Sequence, residues 1–449
     1  MDPSNTNEQL KTLLTLISNA CEVAGKRLAS PPRSRQEEVG DPELRTSIYA
    51  IEAACAQLTT LVARPSDTLV NKFMAFFEPA CLQVALSNRI PDLLHECPNG
   101  VHVSDLERQT GVDQAKLARI LRLLATKHVF QEVSADTFAN TRLSNHLLSH
   151  NPLSSFGRHI TDECFKAASI LSDTLNDPTV TSSNNPKDSP FSRHFGIDGT
   201  LFDYYAGSSP EQIERAKYFG PGMMGWGSAI EADAVVSDFP WNKLPKGSVI
   251  CDVGGGVGNI SIQLAKRYPA LRLVLQDLPE QLEAAEHKIW PERCPEAIAE
   301  RRINFTPLDF FKGSPKKGCD IYFLKNVLHD WSDEDCIKIL RSVRDAMTSR
   351  SRVLIHEFIV QPAYRVPESE AKYSQAPEPL LPNYGDGRLR QYTMDINMMA
   401  LLNSKERTLQ DFIELGTSAG LDFVKLWETG EMGLIEFTLG TETLSVETL

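Results

Sequence analysis

Between residues 8 and 29 the apolar side chains Leu10, Leu13, Leu14, Ile17, Cys21, Ala24 and Leu28 recur at the three-and-four spacing of a single helix face. A polar, proline-containing stretch, SPPRSRQEEVGDP (30–42), reads as a linker. A second apolar face follows, carried by Leu44, Ile48, Ile51, Ala54, Cys55, Leu58 and Leu61. Two helices cannot enclose a core alone, so they must pack on the rest of the chain or on a second subunit. Residues 68–150 also read as mostly helical. VSDLERQTGVDQAKLARILRLLATKHVFQEV has the rhythm of a helix–turn–helix, with Ser104 and Glu107 placed to cap the first helix and Gly111 in the turn. The following VFQEVSADTFANT alternates about a turn and predicts a short hairpin. Residues 176–198, rich in Asn, Ser and Pro, read as a loop, and 199–240 as a helix-rich bridge.

From residue 248 the pattern changes. SVICDVG, LRLVLQD, INFTPLD, DIYFLKNVL and RVLIHEFIV are short, nearly continuous apolar runs rich in β-branched residues, separated by helical stretches such as NISIQLAKRY and DEDCIKILRSVRDAM. That is the pattern of a parallel sheet covered on both faces. DFVKLWETG and GLIEFTLG lie close together and could complete the sheet as an antiparallel pair. Between the fifth run and this pair, 362–390 is polar and rich in Pro, Glu and Gly, and is expected to be a flexible insertion.

Composition narrows the possibilities. With 449 residues, 41% hydrophobic and 23% charged, the chain has the make-up of two or three globular domains. Lys and Arg number 46 against 59 Asp and Glu, a net charge of −13. Such a chain repels phosphate backbones, and the helix DQAKLARILRLL is not especially basic. The helix–turn–helix is therefore expected to be a scaffold and nucleic acid not to be a partner. No run of about 18 uncharged apolar residues predicts a membrane span. MDPSNTNEQ does not read as a secretory signal, so a cytoplasmic location is expected. Nine scattered cysteines with no CxxC read as reduced thiols, and no zinc or other metal site is expected.

The chemistry concentrates at the ends of the apolar runs. DVGGGVGN (252–259) follows the first run and opens a helix, and Gly254, Gly256 and Gly258 permit a sharp turn and close approach to a ligand. Twenty-one residues after Gly256, Asp277 ends the second run, where a carboxylate can accept from both hydroxyls of a ribose. A dinucleotide site would place a third glycine where Asn259 stands. Asp252 beside the loop suits a cation better than a pyrophosphate. S-adenosylmethionine is thus favoured over a nicotinamide dinucleotide. Asp309 and Phe310, at the end of the third run, could serve the adenine amino group and ring, or be a helix cap and a core aromatic; their place at the carboxyl edge of a strand favours the first reading.

The fourth run ends in KNVLHDWSDE, with His329 one strand over from the glycine loop. An imidazole is suited to accepting a proton near neutral pH. Glu357, ending the fifth run, and Glu406, before the helix LQDFIELGTSAG, could orient it; Glu406 could equally favour that helix's dipole. His356 adjoins Glu357, but strand alternation turns it to the other face.

Together DVGGGVG, LVLQDLPE, LDFF, LKNVLHDWSDE, LIHEF and SKERTLQDF resemble the plant-type small-molecule O-methyltransferases and their fungal secondary-metabolite relatives, over roughly 70–440. The resemblance implies an α/β architecture: a Rossmann-like class I methyltransferase domain (201–449), a winged-helix dimerisation domain (66–200) and an N-terminal helical extension (1–65). It implies that Gly254, Gly255 and Gly256 hold the methionine part of S-adenosylmethionine. Asp277 would take the ribose, Asp309 and Phe310 the adenine, and Leu278 and Lys325 would add cofactor contacts. His329 would be the base, flanked by Glu357 and Glu406. Phe219, Met223, Met399 and Asn403 would line the pocket for an aromatic or polyketide-type substrate, although the methionines could simply be core. A homodimer is implied. Some fungal relatives on this scaffold use the cofactor's charge for dehydration or pericyclic ring closure, which is the competing expectation.

Overall fold

The computed structural model describes residues 3–29 and 41–440; most of the predicted linker, 30–40, lies outside the described residues. The apolar runs form a seven-stranded sheet in the order β6-β5-β4-β7-β8-β10-β9. Its strands are β4 (Val249–Val253), β5 (Arg272–Gln276), β6 (Ile303–Phe305), β7 (Ile321–Lys325), β8 (Arg352–Glu357), β9 (Leu421–Thr429) and β10 (Met432–Leu439). From β6 to β8 neighbouring strands are parallel, and β10 inserts antiparallel between β8 and β9. Alternation along each strand explains the unbroken apolar runs. Cys251, Tyr322, Leu324, Val353 and Ile355 point into one core layer, and Ile250, Leu273, Leu275, Phe323 and Leu354 into the other.

The chain divides into two compact units. One comprises Met1–Leu61, Ile230–Met398 and Ser404–Leu449; the other comprises Val62–Ala229 and Met399–Asn403. The sheet lies in the first. In that unit the helices Pro3–Leu28 and Pro42–Val62 find their missing core in the same chain: Leu13, Tyr49, Ala53 and Ala54 pack with Ala376, Leu380 and Tyr384. This corrects the expectation of a flexible insertion at 362–390, because apolar residues hidden among its prolines and glutamates are buried under those helices.

The second unit contains the helix–turn–helix, Val103–Thr110 and Gln114–Thr126, joined through Gly111 at φ +73°. The first helix is capped by the side chain of His102, which accepts from the Ser104 N–H; Ser104 itself lies inside the helix, so the cap falls earlier than predicted. Strands β1 (Val101–His102), β2 (Phe130–Ser134) and β3 (Thr137–Asn140) form a small sheet in the order β1-β3-β2 that includes the predicted hairpin. The predicted loop 176–198 holds a short helix, Pro190–Phe195, capped by Ser189 and started by its proline. Residues 65–87, helical apart from a turn at Ala75–Phe76, are long and apolar enough by composition to cross a membrane, although Asp67, Lys72 and Glu78 interrupt any uncharged run. Their apolar side chains are largely uncovered within this chain: Leu69, Val70, Phe73, Met74, Phe76 and Phe77 are all exposed.

Candidate active site

The strand order reverses between β4 and β7, and in open parallel sheets ligands bind outside the strand ends at such a reversal. Two loops meet there, the glycine loop after β4 and the His329 loop after β7.

In the glycine loop Gly254, Gly256 and Gly258 have φ of +70°, +57° and +83°, a region costly for residues with a Cβ. A Cβ on Gly254 would fall 2.9 Å from the Val327 side chain, and one on Gly255 would fall 2.5 Å from Cγ of Asp252. Around Gly256, by contrast, a Cβ would meet nothing within 4 Å, so this part of the loop faces open space. The Gly256 N–H donates to Asp277 Oδ2 at 2.7 Å, and the Leu278 N–H to Oδ1 at 2.7 Å. Each oxygen keeps a lone pair for an outside donor. Burial raises the pKa of Asp277 against the lowering effect of these two donors. Asp252 is buried and accepts from Ser261 Oγ at 2.6 Å; desolvation pushes its pKa up to about 6, opposed by Ser261 and Lys325. Lys325 has its own pKa lowered by burial, with Asp252 and Glu357 opposing. Asp309 accepts from the Phe311 N–H and pairs with Lys312 at 2.8 Å, which holds its pKa down. It therefore caps its own turn, the bland alternative. Phe310 packs edge-on against Trp331 and reaches toward Gly254. Leu278 is exposed beside Asp277.

At the end of β7, Asn326 takes a left-handed conformation, φ +51°, and turns the chain into the short helical turn Leu328–Asp330. Ile359 and Arg407 run side by side as a parallel bridge, with the Arg407 carbonyl accepting from the Val360 N–H at 3.0 Å, and this carries the segment 404–408 past the end of β8. His329 is buried, and its Nδ1 lies 2.8 Å from Glu406 Oε1. Glu406 is fixed in turn by its own N–H donating to Asp395 Oδ1. On the other ring nitrogen, Asp330 Oδ1 stands 3.6 Å from Nε2. Burial works against a charged His329, but Glu406 and Asp330 outweigh it and raise its pKa to about 10.

Glu357 does not meet the imidazole. Its Oε1 accepts the backbone N–H groups of Val327 and Leu328 at 3.1 and 2.6 Å, and burial raises its pKa to about 6. It shapes the loop that presents His329. Arg407, unnoticed in the sequence, holds the same loop from the other side: it donates to the carbonyls of Leu328 and Trp331 and to Asp333, with its side chain fully buried. Its signal was present as an arginine adjoining the candidate acid in SKERT. His356 turns away to Thr429 Oγ1, as alternation requires.

The four substrate candidates fall in the second unit. Phe219, on the helix Pro210–Ala229, packs with Tyr205 and with the cluster that includes Ala400, Leu401 and Leu402. Met223 and Met399 are partly buried, and Asn403 donates to the Asn185 carbonyl.

A glycine loop with a ribose-ready carboxylate, at the reversal of a parallel sheet ending in an antiparallel pair, defines a class I methyltransferase. The O-methyltransferase domain model matches residues 173–422, and the O-methyltransferase dimerisation domain model matches 70–150. The chain is 44% identical over 397 residues to 3-O-methyltransferase 2 of Phanerochaete chrysosporium, covering 88% of this chain and 87% of that one. It is 32% identical over 458 residues to O-methyltransferase gedA of Aspergillus terreus, covering 95% and 93%. Among solved structures, one titled a pericyclic reaction enzyme shares the fold with a TM-score of 0.71 at 22% identity, covering 96% of this chain and 99% of that one. The chain belongs to the O-methyltransferase family, and it is an S-adenosylmethionine-dependent O-methyltransferase.

The residues at the site fit that cofactor. Gly256 leaves room beside Asp277, whose two oxygens are oriented by backbone donors. The carboxylates of Asp252, Asp277 and Asp330 make the surroundings suited to a cation.

Proposed function

We propose that His329 is the general base that removes the proton from a substrate hydroxyl through Nε2. The observation that carries this reading is the 2.8 Å contact of Nδ1 with buried Glu406, which commits that nitrogen to a carboxylate and leaves Nε2 for the substrate. Glu406 then stabilises the imidazolium as it forms. Glu357 and Arg407 are positioning residues, clamping N–H groups and carbonyls of the same short loop. S-adenosylmethionine, when bound, supplies an electrophilic methyl group. Gly254, Gly255, Gly256, Asp277 and Leu278 would hold it, with Phe310 and Lys325 as further contacts. Asp309 remains the weakest of these assignments because Lys312 already occupies it. The chain's remaining contribution is to hold the hydroxyl oxygen in line and keep water out.

The substrate is a small aromatic or polyketide-type metabolite with a phenolic or enolic hydroxyl, contacted by Phe219, Met223, Met399 and Asn403. The apolar character of the cluster around Phe219 supports this class. The enzyme works as a homodimer, with the exposed apolar face of residues 65–87 as part of the interface. The matched dimerisation domain, which begins at residue 70, supports that placement. Nine free cysteines suit the reducing cytoplasm. The test is mass spectrometry with methyl-deuterated S-adenosylmethionine and a panel of phenols and polyketides. Gain of one labelled methyl with release of S-adenosylhomocysteine is expected. A substrate consumed without label, only when cofactor is present, would replace methyl transfer with a dehydration or pericyclic reaction.

A further inference from the structure

Two side chains outside the site described above hold its glycine loop. After β5 the chain forms the helix Pro279–Ala284, the π-helical turn Ala285–Ile289 and the short helix Trp290–Arg293. In an α-helix residues five apart are turned from one another by about 140°. Yet Ala285 and Trp290 are both buried, because the wider π turn between them closes most of that offset. Trp290 is fully buried in the layer that holds Ile260, Leu275 and Leu282, with its ring edge-on to Phe305 at the end of β6.

The Trp290 Nε1–H donates to the Val257 carbonyl at 3.0 Å. One turn on, Arg293 Nη1 donates to Asn259 Oδ1 at 2.8 Å. The two contacts fall on either side of Gly258. A Cβ on Gly258 would stand 2.9 Å from Trp290 Nε1 and 3.0 Å from the Leu275 side chain. Gly258 therefore serves two ends: its φ of +83° suits glycine, and its missing side chain leaves room for the indole. Asn259, which stands where a dinucleotide site has its third glycine, opens the helix Asn259–Arg267 and is tied to Arg293.

Four glycines among residues 254–258 give a free loop many conformations, which binding a ligand would have to remove. A loop fixed beforehand does not lose that freedom on binding. Here the Gly256 N–H is committed to Asp277 on one side, and Val257 and Asn259 are committed to Trp290 and Arg293 on the other. We infer that Trp290 and Arg293 are positioning residues for S-adenosylmethionine, holding Val257–Asn259 so that the glycine loop is formed before the cofactor arrives. The inference rests on the reading of that loop as the cofactor's cradle. Both residues act through the loop, Trp290 on its backbone and Arg293 on the side chain that opens the next helix.

The experiment is titration calorimetry of the full-length protein with S-adenosylmethionine. Trp290→Phe keeps a ring in the core and removes the donor; Arg293→Met keeps an unbranched chain and removes its donors. Each should raise Kd about three- to ten-fold, the range of one lost hydrogen bond, at unchanged stoichiometry. A side chain that only filled the core would lower the stoichiometry by unfolding part of the protein and leave Kd of the folded remainder unchanged. Amide exchange supplies a second readout: without cofactor, the peptide covering 254–259 should exchange faster in both variants than in the wild type. A wild-type Kd in either folded variant overturns the inference, as does wild-type exchange of that peptide. Asp277→Ala separates this failure from that of the cradle. If it weakens binding while Trp290→Phe and Arg293→Met do not, only the clamp falls. If none of the three changes Kd, the cradle reading falls and takes the clamp with it.

Discussion

His329 in the sheet-bearing unit and His159 in the helical unit are both buried imidazoles with a glutamate on the Nδ1 side, and neighbouring groups raise the pKa of both to about 10. Their surroundings differ in what they leave available. Glu406 meets His329 directly at 2.8 Å, and the nearest acid to Nε2 is 3.6 Å away. That ring suits a proton brought from outside. At His159 the glutamate acts through a tyrosine, and Nε2 is already met by a thiol of the same chain. A buried histidine beside a carboxylate therefore does not define a role; the occupant of the remaining nitrogen does.

The comparison breaks first at His329. His329→Ala should lower kcat by about 10²–10⁴-fold while the calorimetric Kd for S-adenosylmethionine stays unchanged. Loss of cofactor binding would instead place this ring in the cofactor cradle. The backbone clamp separates the two glutamates of the first site. Glu357→Ala leaves two buried N–H groups without an acceptor and should cost at least about 2 kcal/mol of stability in chemical denaturation. Glu357→Gln retains an acceptor and should recover most of that. Equal losses in the two variants would assign the effect to the lost charge.

Glu406→Gln should lower kcat by about 10–100-fold, the worth of one hydrogen bond to a charged group. It should also move the pH profile. With the His329 pKa raised, the base form grows as pH rises through that value, so kcat/KM should climb with pH. Removing the Glu406 charge lowers the pKa, and the climb should move to lower pH. Asp330 also stands beside this ring and the charge of Glu357 acts on it from further off, so the shift will be partial. An unmoved profile would detach Glu406 from the ring's titration. The smallest effect is expected at the other loop. Asp277→Ala should weaken S-adenosylmethionine binding by about 1–3 kcal/mol, with kcat little changed at saturation; an unchanged Kd would end the ribose assignment.

The sheet was legible because each strand is buried on both faces and so is written as an unbroken apolar run, and the antiparallel pair declared itself by proximity. The glycine loop was legible because strand, glycines and helix follow without a gap. What each glutamate touches was not legible. Glu357 and Glu406 look alike in sequence, and the left-handed turn at Asn326 decides that one meets backbone N–H groups while the other meets the ring. Arg407 was hidden because a buried arginine is written like an exposed one until its carbonyl partners are known. The order within 362–390 was hidden for a related reason. Ala376, Leu380 and Tyr384 recur every four residues, but Pro377, Pro379 and Pro382 between them forbid the helix that this spacing would announce, and their partners lie at the other end of the chain.

That last contact has a consequence in time. Leu13, Tyr49 and Ala54 are synthesised roughly 300 residues ahead of Ala376, Leu380 and Tyr384, the surface that covers them. At about 5–20 residues per second, the first two helices wait on the order of 15–60 seconds with an apolar stripe unpaired. The beginning of this chain is thus open to aggregation while the ribosome is still at work, and a chaperone would act there.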